Sequence, residues 1–358
     1  MTRSKWLDPR RMVHGVKWRA QKQLARFRTP SPVIGGPPQG DSFRRAVLAH
    51  YGVEDSASLP ETQKMWADFT LTAAERGFTA VGMLGGTYAL KGKRVLDVGC
   101  GYGGFMVAAG RAGAREVVGI DTNPRVLELA PLLLSDYEVE ARLEQVDLTD
   151  PAVPARLGRF DVIICNDVLE HVTSVETAVG NLSSMLARNG RVFLEIPNGN
   201  AVKYVRSDGH YKIPGITLLD FEDARRLHQA FFPDATAYDT YFYGTVDYYL
   251  AAFSRVGIML RMLAVPHADQ ATVELLAEEV SALQSASEEW SMVHADKPPE
   301  LMAEIQERLA SYLAEVNSRL TRYRALSDPA ERELVGTSLR VSYEVGNWLF
   351  EGQRPEPG

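Results

Sequence analysis

Cysteine is scarce in this sequence: 358 residues hold only Cys100 and Cys165. No CxxC pair and no Cys/His ligand spacing occurs, which argues against a disulfide scaffold or a zinc site. Both thiols sit in apolar, strand-like runs, as reduced buried cysteines of a cytoplasmic protein do. Long apolar runs are also missing. Nothing approaches the roughly 20 residues that span a bilayer. The N-terminus has no continuous apolar stretch of the secretory kind. Neither an integral membrane segment nor a signal peptide is therefore expected, although surface binding to a membrane stays open. Positive charge is short overall, with a net charge of −7. That argues against a surface devoted to nucleic acid, while permitting a local basic patch. No internal repeat and no low-complexity tract breaks the chain.

What is present is ordinary for a globular protein: 45% hydrophobic and 24% charged residues. The length suits about two domains. Basic residues concentrate at the start, where nine Lys and Arg between Arg3 and Arg28 face a single acid, Asp8. Trp6, Trp18 and Phe27 are interleaved, and Ser31–Pro38 reads as a linker. This arm is either a solvated tail or a docking element for acidic lipid, nucleic acid, a partner subunit or the acidic remainder of the chain.

Residues 41–90 have helical spacing over Ser42–Tyr51 and Glu61–Thr79, punctuated by Gly52, Pro60 and Gly77. From Lys93 strands and helices alternate. Strands are expected at Arg94–Val98, Glu116–Asp121, Ala141–Val146, Phe160–Cys165 and Arg191–Ile196. Helices are expected over Gly103–Ala112, from Pro124, and over Val175–Ala187, the last stopped by Asn189-Gly190. Such alternation makes a parallel sheet with helices on both faces. Further helices are read at Leu219–Phe232, Val246–Arg255, 270–289 and 300–326, and strands at Gly257–Val265 and Leu339–Phe350. In the helix 300–326, Leu301, Ile305, Leu309, Tyr312, Val316, Leu320 and Tyr323 form an apolar stripe, read as packed core. Pairing of these two helices could also support a homodimer.

The first strand runs into Asp97-Val-Gly99-Cys-Gly101-Tyr-Gly103-Gly104. Glycines permit a sharp turn into a helix and let a ligand touch the backbone. Ligands of such sheets bind at the carboxyl ends of the strands. The loop alone fits nicotinamide, flavin or S-adenosylmethionine (SAM). Asp97 favours SAM, since a carboxylate there repels a pyrophosphate and attracts an ammonium or sulfonium group. Asp121 closes the second strand and suits the two hydroxyls of a ribose.

Val95–Gly104 resembles the first motif of class I SAM-dependent methyltransferases. Gly119-Ile-Asp-Thr122 resembles their second-strand acid, Val146-Asp-Leu148 the end of the third strand, Phe160–Val172 the fourth-strand motif, and Gly190–Asn198 the fifth strand. The resemblance covers about residues 93–198, with a weaker echo at 246–265. It implies an α/β, doubly wound, seven-stranded Rossmann-like sheet whose last strand is antiparallel, with an N-terminal helical segment and a C-terminal helical insertion. The implied organisation is an arm and linker at 1–40, a helical cap at 41–92, a SAM-binding core at 93–265, the insertion at 266–334 and the last strand and tail at 335–358. The long insertion departs from the minimal core of the family.

Position by position, the resemblance implies that the backbone at Gly99 and Gly101 lines the methionine part of SAM, with Cys100 between them and Asp97 near the amino group. Asp121 and Thr122 would meet the ribose, Asp147 and Leu148 the adenine, and Asn166 would close the methionine pocket through its backbone.

Methyl transfer needs alignment and exclusion of water, and an oxygen acceptor often needs a base. If Asp167, Glu170 and His171 start a helix, they share one face. His171 is then the leading base, or else a structural part of the motif. The Asp-x-x-Glu-His spacing also resembles the divalent-metal cluster of ubiquinone-pathway O-methyltransferases and small-RNA 2′-O-methyltransferases, with His210 as the further ligand needed; the expectation adopted is catalysis without a metal. Asp208-Gly-His210-Tyr211 reads as a substrate loop, with His210 a second base candidate, or as an exposed turn. Tyr238, Tyr241, Tyr243, Tyr248 and Tyr249 suit stacking on a ring, or plain packing. The reading adopted is a cytoplasmic O-methyltransferase for a small or glycan-like acceptor, helped by a loose similarity to methyltransferases of surface-glycan pathways. N- or C-methylation of a metabolite, a non-catalytic SAM-binding or assembly role, and nucleic-acid methylation are the alternatives, the last not expected.

Overall fold

The computed structural model describes residues 36–85, 87–233, 238–294 and 296–355. The basic stretch Arg3–Arg28 lies outside the described residues. Among the described residues seven strands are present: β1 Arg94–Val98, β2 Glu116–Asp121, β3 Arg142–Gln145, β4 Phe160–Asn166, β5 Leu186–Pro197, β6 Met259–Met262 and β7 Asn347–Gln353. Their order in the sheet is β3-β2-β1-β4-β5-β7-β6. Chain order reverses between β1 and β4, the arrangement of a doubly wound sheet. β1, β2 and β3 pair in parallel, whereas β7 is antiparallel to both β5 and β6. This is the expected seven-stranded sheet with an antiparallel last strand.

The chain divides into two compact units, one containing the described residues up to Asp147 with 160–164, the other 148–159 and 165 onward. In the first unit, four of the five residues of β1 are buried, as are the four central residues of β2. Continuous apolar runs of this kind are what a strand covered on both faces requires. Arg94 forks onto Glu116, its partner in the β1–β2 register, at 2.5 and 2.9 Å. The helix Pro124–Asp136 starts where expected, with proline in its first turn and the Asn123 side chain accepting from Arg125 N–H. At its far end Asp136 is buried. It accepts from Ser42 Oγ and from the N–H groups of Ser42 and Phe43, so it caps the helix Ser42–His50 from a distance.

The expected single helix Glu61–Thr79 is two helices, Glu61–Leu71 and Ala73–Met83. Thr72 marks the break; its hydroxyl bonds back to the Asp68 carbonyl. Gly77 is not punctuation but lies inside the second helix. A Cβ there would sit 2.1 Å from the Gly104 carbonyl oxygen, and one on Gly104 2.2 Å from that of Ala73. The two glycines let the helices Ala73–Met83 and Gly104–Arg111 cross in backbone contact.

In the second unit the helix Val175–Met185 ends before Asn189-Gly190, because Leu186 is already extended and buried. The residues expected as a last strand from Leu339 divide differently. Leu339 and Tyr343, four apart and both buried, belong to the helix Pro329–Tyr343, and the strand begins only at Asn347. Long helices Gln270–Val293 and Pro299–Ala325 are present. The first opens on a reciprocal Asp269/Thr272 cap. The stripe from Leu301 to Tyr323 is buried in this unit's own core, so a second copy of the chain would have to use other surfaces.

Candidate functional site

In the first unit the loop after β1 is built from left-handed glycines: φ is +66° at Gly99, +51° at Gly101 and +84° at Gly103. Nothing lies within 4 Å of where a Gly101 Cβ would be, so the loop's backbone is open for close approach. Asp121 organises this loop. Its Oδ2 accepts from Gly101 N–H and its Oδ1 from Asn123 N–H, each at 2.9 Å. The Thr122 carbonyl accepts from Gln145 Nε2. Cys100 N–H donates to the Ile120 carbonyl, tying the loop to β2. The Cys100 thiol is buried, and burial pushes its pKa upward. It is therefore an inert packing group against the sheet. Asp147 is exposed beyond the end of β3.

Asp97 carries the most pointed feature. It is 2% exposed, and its Oδ2 makes no hydrogen bond. Burial raises its pKa well above the ordinary carboxylate value, and the neighbouring Asp121 charge adds to this. An uncompensated buried acid is costly unless a cation or a donor meets it. A ligand with an ammonium group supplies both. The donor set of the loop therefore fits SAM on this structure's own evidence: a buried acid without a partner, an open glycine turn, and a second acid at the end of β2.

The second unit holds the other candidates. The Leu148 carbonyl accepts from Asn181 Nδ2 at 2.8 Å. Asn166 ends β4, and its Oδ1 is buried without a partner. The expected helix from Asp167 does not form. Asp167 is left-handed at φ +52°, and the chain makes only a turn closed by His171 N–H on the Val168 carbonyl. Asp167 Oδ1 accepts from Asn347 Nδ2, whereas Glu170 and His171 face each other at 3.8 Å.

His171 Nδ1 lies 2.9 Å from the Asp239 carbonyl oxygen. A carbonyl only accepts, so Nδ1 carries the proton and Nε2 keeps the lone pair of the neutral ring. Glu170 is 1% exposed, and neither of its carboxyl oxygens is hydrogen bonded. Burial pushes its pKa up to about 7, against the pull of His171. The His210 ring packs edge-on to His171 with centroids 4.9 Å apart. Its Nδ1 is 3.1 Å from the Tyr243 hydroxyl, and burial, with His171 beside it, pushes its pKa down to about 4. Glu170, His171 and His210 bring ligand atoms within 4.8 Å of one another.

Three further residues shape this cluster, of which the sequence pattern gives no sign for Asp239. Asp208, buried, accepts N–H bonds from His210, Tyr211 and Ile213, each at 2.8 Å, and so shapes the loop that presents His210. Asp-Gly with following residues turned back onto the carboxylate is a readable turn signal. Asp239 carries no such signal, and Tyr243, though read as one of the tyrosine group, shows no sign in sequence of its contact with His210, since both reach the histidines from far along the chain. The expected tyrosine cluster divides. Tyr249 is wholly buried beside Trp348, and Tyr248 bonds Glu176. Tyr238 packs on Tyr211 and His228. Tyr241 and Tyr243 line a cavity.

Comparison with known proteins agrees with the architecture. Residues 67–243 match the family model described as a methyltransferase domain. The ubiquinone biosynthesis O-methyltransferase of Alkalilimnicola ehrlichii is 37% identical over 119 residues, 32% of this chain and 46% of that protein. That of Thiobacillus denitrificans is 37% identical over 116 residues, 32% of this chain and 49% of its own. The chain thus spans about half the length of these relatives. Among solved structures, the magnesium protoporphyrin IX methyltransferase of Synechocystis, with bound S-adenosylhomocysteine (SAH), is 21% identical with a TM-score of 0.40, over 61% of this chain and 84% of that one. The glycine loop, the strand order and the family match together place residues 67–243 of this chain in the methyltransferase-domain family, of the class I, SAM-dependent kind.

Proposed function

We propose that the protein transfers a methyl group from SAM to an oxygen of a small or glycan-like acceptor. The observation that carries the cofactor half is Asp97, a buried carboxylate with a bare Oδ2 at the mouth of an open glycine turn. In this reading Asp97 holds the amino group of SAM, the backbone at Gly99, Cys100 and Gly101 lines its methionine part, Asp121 and Thr122 hold the ribose, and Asp147 and Leu148 the adenine. Asn166 completes the methionine pocket. SAM supplies an electrophilic methyl group on a sulfonium that leaves as a neutral thioether. The chain's task is then to orient the acceptor, exclude water and take one proton.

His171 Nε2 suits that proton, because Nδ1–H is spent on the Asp239 carbonyl. His210, neutral at pH 7, is the second candidate base. Taking that proton would leave an electron pair on the acceptor oxygen for the methyl carbon that SAM would supply, its sulfur departing as the thioether. The names of the ubiquinone O-methyltransferase relatives support oxygen as the acceptor atom. Two buried cysteines, neither of them in a disulfide, support a cytoplasmic enzyme. Calorimetric titration with SAM tests the cofactor. Affinity in the micromolar range is expected, and no heat at high micromolar concentration would remove the reading. Once an acceptor is in hand, unchanged turnover in both His171→Ala and His210→Ala would remove base catalysis by either ring.

A second reading rests on the Glu170, His171 and His210 trio. One carboxylate and two imidazoles at this separation suit a magnesium or manganese ion, which would supply a Lewis acid for the acceptor oxygen. Titration of the chain with Mn2+ separates the readings: binding that is lost in Glu170→Gln favours the metal, and no binding leaves His171 as the base.

A further inference from the structure

A cavity of about 370 Å3 opens in the second unit, within the roughly 300–1,000 Å3 usual for small-ligand sites. One wall is aromatic. Phe221 and Tyr241 stack with centroids 4.7 Å apart and planes 16° from parallel, and Tyr241 remains more than a third exposed. Asn200, Asp220 and Arg308 also line the cavity, and one Asp220 oxygen accepts from Asp223 N–H at 3.0 Å. Arg308 donates through Nε to Glu304 at 2.7 Å and keeps half its side chain in solvent.

This cavity adjoins the histidine cluster through its own wall. Tyr243 lines it and bonds His210 Nδ1. The N–H groups of Tyr241 and Phe242 donate to the Glu170 carbonyl at 2.7 and 3.3 Å. A molecule seated there lies against the segment that holds both Glu170 and His210 in place.

The lining narrows the chemistry of that molecule. A flat aromatic acceptor is satisfied by stacking and one or two polar contacts. A polyhydroxylated ring has an apolar C–H face to lay on an aromatic platform and, around its rim, hydroxyls that both donate and accept. A platform edged by an amide, a carboxylate and a guanidinium supplies both kinds of partner. We propose that the cavity binds a pyranose ring of the acceptor, with Tyr241 as platform, Asp220 and Arg308 as the hydroxyl-binding edge, and Tyr243 at the end facing the histidines. The proposal rests on the methyltransferase reading above.

The test uses the full chain and saturation-transfer NMR with methyl α-glucoside, α-mannoside, α-galactoside and α-rhamnoside as probes, and catechol as the flat comparator. At least one pyranoside should bind with transfer strongest on its C–H face. Tyr241→Ala and Arg308→Ala should each weaken it about tenfold, while SAM affinity by calorimetry stays unchanged. Arg308 is half exposed, so its variant keeps the test readable if Tyr241→Ala does not fold. Catechol binding in place of every pyranoside would overturn the proposal, as would pyranoside binding indifferent to both variants, or none at all. Failure of the wild-type chain to bind SAM strikes instead at the underlying reading, and the two results are measured separately.

Discussion

At Asp97 the folded protein buries an acid whose Oδ2 has no donor. Replacing it by Asn removes the ionisable group without changing shape. Asp97→Asn should therefore raise the stability of the ligand-free protein by roughly 1 kcal/mol or more while weakening SAM by about tenfold or more. Thermal melts and calorimetry read the two effects, and a variant that is both less stable and equally tight would contradict the role. Glu170 permits a sign to be worked out. Its pKa rises from an ordinary 4.5 to about 7 on folding, so between these values the folded state binds more protons than the unfolded chain. Its contribution to stability is complete below about pH 4.5 and is lost as pH rises through about 7. His210, pushed down to about 4, contributes with the opposite sign, losing stability as pH falls below about 6.5. In chelator-treated protein, Glu170→Gln should flatten the loss between pH 5 and 8 by on the order of 1–3 kcal/mol, measured by denaturant unfolding at each pH. An unchanged slope would show that Glu170 is not the titrating group. Asp97 and Asp121 were legible in the sequence, because position at the carboxyl end of a strand defines them. The burial that makes Asp97 unusual was not, because it depends on what packs around the strand end.

Close approach governs the elements. Gly77 and Gly104 put the helices Ala73–Met83 and Gly104–Arg111 in backbone contact. Gly77→Ala should cost about 2–4 kcal/mol, whereas Gly82→Ala, in the same helix with nothing within 4 Å of its Cβ position, should be neutral or stabilising by up to about 1 kcal/mol. Equal effects would mean that the crossing is not tight. Asp208 acts on a loop in a similar way. With three N–H groups resting on it, Asp208→Ala should cost about 3 kcal/mol and move the His210 ring signals in NMR. Unmoved His210 signals would separate the loop's shape from the histidine. Most helices and strands with a strong period follow it in the fold. Pattern and fold part where a local signal meets a tertiary one. Gly77 signals a break yet serves a crossing, and Leu339–Tyr343 has strand-like composition yet buries one helical face.

At the scale of the whole molecule, a ligand of the folded state adds stability by mass action. SAM at about a hundred times its Kd should add about 2.7 kcal/mol, with hydrogen-exchange protection concentrated over residues 97–104 and 121–123. Protection spread evenly over the chain would argue against the glycine loop as the site. The sequence by itself determined the alternation of strands and helices, the glycine turn and its acids, and hence the family, because these depend on residue period and spacing along a few tens of positions. Only the tertiary structure decided that the helix expected from Asp167 is a turn, that Glu170 is desolvated beside His171, and that Asp239 meets His171 and Tyr243 meets His210. Those are contacts between segments as many as about 70 residues apart. Their energies arise from burial and from which donors a folded chain brings within reach, and no local pattern encodes either.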